Sequence, residues 1–104
     1  MGVSLPELSH LQIAVLDAIG PREVTGRELR DRLKQRGISK SGPAFYQLMS
    51  RLEDAKFAEG WYDEKIVSGQ RIKERCYRLT GLGEKAMRES ANFYSPIFSR
   101  HELA

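Results

Sequence analysis

Residues 57–79 read FAEGWYDEKIVSGQRIKERCYRL, and the fold turns on this stretch. Upstream of it, apolar residues recur at helical spacing. From Phe57 the period changes, and the aromatic-rich run Phe57 to Asp63 predicts a β-strand. Ser68-Gly69-Gln70 is a turn signal, and Arg71 to Leu79 predicts the returning strand. The pair is basic: residues 65–78 carry Lys65, Arg71, Lys73, Arg75 and Arg78 against Glu74, net +4. Lys65, Arg71 and Lys73 suit phosphates or a minor groove, or they protect a strand edge by charge. Arg75 and Arg78 lie further along and are expected to pair with acids such as Asp63 or Glu64. Trp61, Tyr62 and Tyr77 are expected in the core of the sheet. Cys76 is expected to pack as a small apolar group.

Working back toward the N-terminus, three helices precede the hairpin. Ile38 leads into Ser39-Lys40-Ser41-Gly42-Pro43, where a serine can cap and proline can occupy the first turn. Phe45, Leu48, Met49, Leu52 and Ala55 then form one face of the third helix. Its opposite face presents Pro43, Gln47 and Ser50, flanked by Tyr46 and Arg51, with Asp54 a full turn later. Gln suits adenine and Arg suits guanine or phosphate, and a serine beside free helix N–H groups can receive phosphate. The second helix opens on Thr25-Gly26-Arg27-Glu28, a capping-box pattern, with Leu29 and Leu33 inside, Arg27, Arg30 and Lys34 outside, and Gly37 as its stop. The first is expected to open on Ser4-Leu5-Pro6-Glu7 and to stop at Gly20-Pro21, with Leu8, Leu11, Val15, Ala18 and Ile19 on its apolar stripe.

Toward the C-terminus, Thr80 caps a last helix running from about Leu82 to the low nineties. Leu82, Ala86, Ser90, Phe93 and Ile97 share one side, with Met87, Tyr94 and Phe98 adjoining. This stripe exceeds what one small domain needs, so Leu82, Ala86, Phe93, Tyr94 and Ile97 are expected to dimerise. Pro96 argues against continuous helix through the tail. The alternative is an intramolecular lid over the first helix.

The fold class is therefore mainly α within α+β: three helices, a two-stranded hairpin wing and a C-terminal helix, the winged helix-turn-helix arrangement. Residues 1–81 form the expected DNA-binding domain, and residues 82–104 a dimerisation helix and tail. With 104 residues, 40% hydrophobic and 30% charged, the composition is that of one soluble globular domain. Its net charge of +3 conceals a second basic block. Residues 25–40 carry six basic side chains against two acidic ones, net +4, whereas residues 1–24 are net −2. Two basic blocks that the topology can turn toward one duplex suit a polyanion.

The enzyme class is poorly supported. His10 and His101 lie near opposite ends, with no Cys or carboxylate at metal-ligand spacing in the sequence, and no phosphate-cradling loop, nucleophile elbow or paired-carboxylate pattern occurs. No cofactor and no metal are expected. The single cysteine fits a reducing compartment. With no apolar run of bilayer length and no signal-peptide pattern, a cytoplasmic protein is expected.

Ser41-Gly42-Pro43-Ala44-Phe45-Tyr46-Gln47-Leu48-Met49-Ser50-Arg51-Leu52-Glu53 resembles the recognition-helix signature of PadR-like transcriptional regulators. Trp61, Cys76-Tyr77-Arg78-Leu79-Thr80 and Gly83 resemble the family's next signatures, so the likeness spans about residues 8–88. The resemblance implies that Tyr46 and the Ser41–Pro43 turn touch phosphates, that Gln47 and Ser50 lie in the groove, and that the hairpin is the wing. Where the family has Gly-Tyr at the start of its second helix, Gly26 is followed here by Arg27. The short C-terminal region resembles the smaller members.

The expected DNA-binding residues are Ser39, Lys40, Ser41, Pro43, Tyr46, Gln47, Ser50, Arg51, Lys65, Arg71 and Lys73. The expected function is sequence-specific binding of double-stranded DNA by a homodimeric regulator, a repressor as in most relatives. The alternative is a winged-helix protein–protein module. A third reading adds a small-molecule effector between subunits, near the first and last helices.

Overall fold

The computed structural model describes residues 8–90. Helix α1 (His10–Ile19) does not start at the expected Ser4, which lies outside the described residues. Ser9 is its cap: the Ser9 hydroxyl accepts from the Gln12 backbone N–H at 3.1 Å, and Gln12 Oε1 accepts from the Ser9 N–H at 2.9 Å. The serine–glutamine spacing satisfies two otherwise orphaned donors reciprocally, and this fixes the start. Buried Leu8 precedes the cap at the position of a hydrophobic staple.

Strand β1 (Val24–Thr25) leads directly into helix α2 (Gly26–Gln35), where Thr25 Oγ1 accepts from the Glu28 N–H at 3.1 Å. The helix ends as expected at Gly37: the Gly37 N–H bonds Lys34 O and the Ile38 N–H bonds Leu33 O, a Schellman closure. Helix α3 (Gly42–Asp54) is capped by Ser41, with Pro43 in its first turn. It buries Phe45, Met49 and Leu52 and exposes Pro43, Tyr46, Gln47, Ser50 and Arg51, as its periodicity predicts.

Strands β2 (Ala58–Val67) and β3 (Gln70–Leu79) pair antiparallel over their whole length. The hairpin is longer than the sequence suggests. The turn is Ser68-Gly69 alone, both at positive φ (52° and 78°), and Gln70 already pairs with Val67. A two-residue turn of that handedness matches strand twist, so the ladder runs to its tip.

The sheet has three strands, not two, in the order β1-β3-β2. β1 pairs Val24 with Tyr77 and Thr25 with Cys76. Two residues are too short to carry a strand pattern, so β1 escapes periodicity; burial of Val24 and Tyr77 fixes it. Helix α4 begins at residue 81 and occupies 81–90 among the described residues. Thr80 Oγ1 accepts from the Gly83 N–H at 2.9 Å and donates to Lys56 O at 2.5 Å, tying the start of α4 to the end of α3.

One core gathers Val15, Leu16 and Ile19 of α1, Leu29 and Leu33 of α2, Phe45, Met49 and Leu52 of α3, and Tyr77 of β3. The architecture is an α+β winged helix. Only the proximal part of the hairpin joins the core, and from Tyr62 outward β2 is exposed. Tyr62, expected inside, is 67% exposed, because the register puts it two residues beyond Gly60–Tyr77, the last buried level on its face of the sheet.

Candidate nucleic-acid interface

The second basic block divides by task. Arg32 Nη1 donates to Ala18 O at 2.9 Å and Ile19 O at 3.2 Å, closing the end of α1. Arg36 pairs with Asp17 at 2.7 Å. Arg30 Nη2 donates to Lys40 O at 3.1 Å, and its guanidinium lies 5.7 Å from the centre of the Phe45 ring, so it holds the turn ahead of α3. Arg27, Lys34 and Lys40 are exposed, and none has a carboxylate partner among the described residues.

Those side chains border a groove of about 470 Å³ between α2, the α2–α3 turn, the start of α3, and the edge of β3 beyond β1. Arg27, Arg30 and Lys34 line one wall, Ser39 and Lys40 the end, Tyr46 the α3 side, and Lys73 and Arg75 the wing side. Asp31 and Glu74 are the acids among its lining residues. Tyr46 is 50% exposed, its ring edge-on to Phe45 at 5.4 Å. Four expected site residues, Ser39, Lys40, Tyr46 and Lys73, thus meet in one groove. Arg27, Arg30 and Lys34, expected on the outer side of their helix, are not among the expected site residues. Their membership of the 25–40 block was the available signal.

The other expected residues lie around this groove rather than in it. Pro43, Gln47 and Ser50 occupy successive turns of the exposed α3 face, and Arg51 flanks them. Ser41 is already engaged as a cap, its oxygen 3.3 Å from the Ala44 N–H. Lys65, Arg71 and Lys73 do not share a face of the wing. The register puts Arg71 and Lys73 on the face of Arg75 and Tyr62, and Lys65 with Ile72 on the other. Lys65 sits 3.4 Å from Glu74, whose hydrogen bond and charge raise its pKa above the ordinary lysine value. Lys73 lies 3.9 Å from its cross-strand neighbour Glu64. The Lys73 pair is exposed and the Lys65 pair partly so, and such pairs contribute little, so either lysine can exchange its carboxylate for a phosphate.

Arg75 and Arg78 pair with acids, though not those expected. Arg75 meets Glu53 of α3 at 2.5 Å and Arg78 meets Glu59 at 2.8 Å. Glu53 is out of reach of a sequence-local search because α3 delivers it from outside the hairpin. Cys76 is buried as expected, and burial pushes its thiol pKa up, which makes it a poor nucleophile.

Of the expected dimerisation residues, Ala86 is 4% exposed and belongs to the chain's own core. The helical stripe marked it as apolar but could not say which body covers it. Leu82 is 48% exposed; Phe93, Tyr94 and Ile97 lie outside the described residues. Among the described residues, no three His, Cys, Asp or Glu side chains gather as a metal-ligand group, and no helix is long and apolar enough to cross a membrane.

No protein-family model matches the chain, and no curated protein sequence does. Solved structures do. A PadR family transcription regulator from hypervirulent Clostridium difficile superposes with a TM-score of 0.74 at 17% identity, covering 91% of this chain and 97% of that one. A PadR family regulator from Eggerthella lenta gives a TM-score of 0.66 at 24% identity over 88% of this chain and 78% of that one. Bacillus subtilis PadR, solved in complex with operator DNA, gives 0.62 at 19% identity, covering 78% of this chain and 47% of that longer one. These superpositions show that the chain has the PadR-like winged-helix fold.

Proposed function

We propose that this chain is a sequence-specific double-stranded DNA-binding transcriptional regulator, a repressor acting as a homodimer in the cytoplasm, and not an enzyme. The observation that carries the reading is the groove in which cations of α2, the α2–α3 turn and β3 converge beside an exposed α3 face. That face carries no acid until Asp54. α3 enters the major groove, with Gln47 and Ser50 at base edges and Arg51 beside them. Ser39, Lys40, Ser41, Pro43 and Tyr46 meet phosphates at its N-terminal end, where orphan N–H groups favour anions. Arg71, Lys73 and, from the other face, Lys65 run along the backbone or minor groove. Arg27 and Lys34 join them as phosphate contacts. That Bacillus subtilis PadR was solved with operator DNA supports the assignment. The exposed Leu82 supports a second subunit packing against α4.

Two substitutions test the division of labour. Gln47→Ala is expected to relax preference at one base position by about 1–3 kcal/mol, and Arg71→Ala to weaken all duplexes alike. Identical behaviour in both variants would refute a reader helix with an anchoring wing.

A protein-docking role has one observation in its favour. Ile66, Val67 and Ile72 near the wing tip are 75%, 49% and 41% exposed. On that reading the basic faces are only solubilising, and salt has little effect on partner affinity.

A further inference from the structure

The hairpin leaves the body of the domain at the level of Tyr62 and Arg75, directly opposite one another. There Arg75 is gripped from three sides. Glu53, in the last turn of α3, reaches it at 2.5 Å, with both side chains 22% exposed. The guanidinium lies 4.8 Å from the Tyr62 ring centre and 5.7 Å from that of Tyr77. Glu53 can cross β2 only because residue 60 is glycine. A Cβ there would stand 2.2 Å from Glu53 Oε1 and 2.7 Å from Arg75 Nη2.

Lys73 and Arg71 follow Arg75 on the same face of the strand. At strand rise, Arg71 projects about 13 Å beyond the pair, so a tilt of about 10° there moves it by about 2 Å, enough to lose a hydrogen bond. We infer that the Glu53–Arg75 pair is a latch fixing the angle between α3 and the wing, which makes both positioning residues for phosphate contacts made further out. This rests on the DNA-binding reading above.

The latch is testable with and without DNA. In the free protein, Glu53→Gln is expected to keep native circular dichroism while backbone ¹⁵N relaxation reports greater motion across residues 63–73. In duplex binding, Arg71→Ala is expected to weaken the wild-type protein about five- to tenfold and the Glu53→Gln protein less than twofold. Arg75→Lys keeps the charge but loses the planar group between the rings, and serves if Glu53→Gln does not fold. An unchanged hairpin in the folded variant, or equal losses in both backgrounds, overturns the latch. A wild-type protein that binds no duplex overturns the DNA reading instead, and the relaxation measurement still decides whether the pair holds the hairpin.

Discussion

Lys56 adopts φ 66° one residue beyond the Ala55 cap of α3, where its N–H bonds Glu53 O and the next N–H, of Phe57, bonds Leu52 O. This is the same closure that glycine makes after α2, here forced on a residue with a Cβ. Lys56→Gly is expected to stabilise the protein by about 0.5–1 kcal/mol, read as a higher urea midpoint at constant m. Gly83 is the converse case. A Cβ there would meet Phe57 O at 1.9 Å, and that oxygen belongs to backbone held by the Thr80 N–H at 3.2 Å. Gly83→Ala is expected to cost about 2 kcal/mol or more, lowering the same midpoint. Tyr77, 1% exposed, has its pKa pushed up to about 12 by burial. Its folded value exceeds its unfolded one, so its contribution is complete below about pH 10 and lost as pH rises toward 12. Tyrosinate absorbance at one ring should therefore rise together with loss of helical dichroism. Ionisation of every tyrosine in a still-folded protein would contradict this.

Helices α2 and α3 were legible in the sequence because each carries its own boundaries: Thr25 and Ser41 as caps, Gly37 as a stop, and apolar residues at 3.6 spacing between them. The hairpin was legible in kind but not in extent. Its distal half is exposed on both faces, so no burial pattern marks it, and only the Ser68-Gly69 turn reveals that the ladder continues. What the sequence could not divide was the basic block of α2. Arg27 and Arg32 look alike in the chain, but Arg32 closes α1 while Arg27 faces the groove. Arg32→Ala is expected to cost about 1–2 kcal/mol, a drop of several degrees in Tm, with duplex affinity unchanged. Arg27→Ala should do the reverse, keeping Tm and losing affinity about severalfold in low salt. Thermal melts beside binding curves separate the two.

At the scale of the molecule, a net charge of only +3 says little, because the structure sorts the charges rather than adding to them. Arg32, Arg36, Arg75 and Arg78 are engaged within the fold, which leaves the interface cations Arg27, Lys34, Lys40, Arg51 and Arg71 without carboxylates among the described residues, and Lys65 and Lys73 in exchangeable pairs. A dimer using three or four of these per subunit would make about six to eight phosphate contacts. The measurement that bears most directly on this is the salt dependence of affinity for duplexes selected from a randomised pool, with the oligomer's mass determined beside it. A two-subunit species is expected, with log affinity falling against log salt at a slope of about −5 to −7. A slope near zero, or a pool from which no duplex is enriched, would contradict DNA binding by this chain.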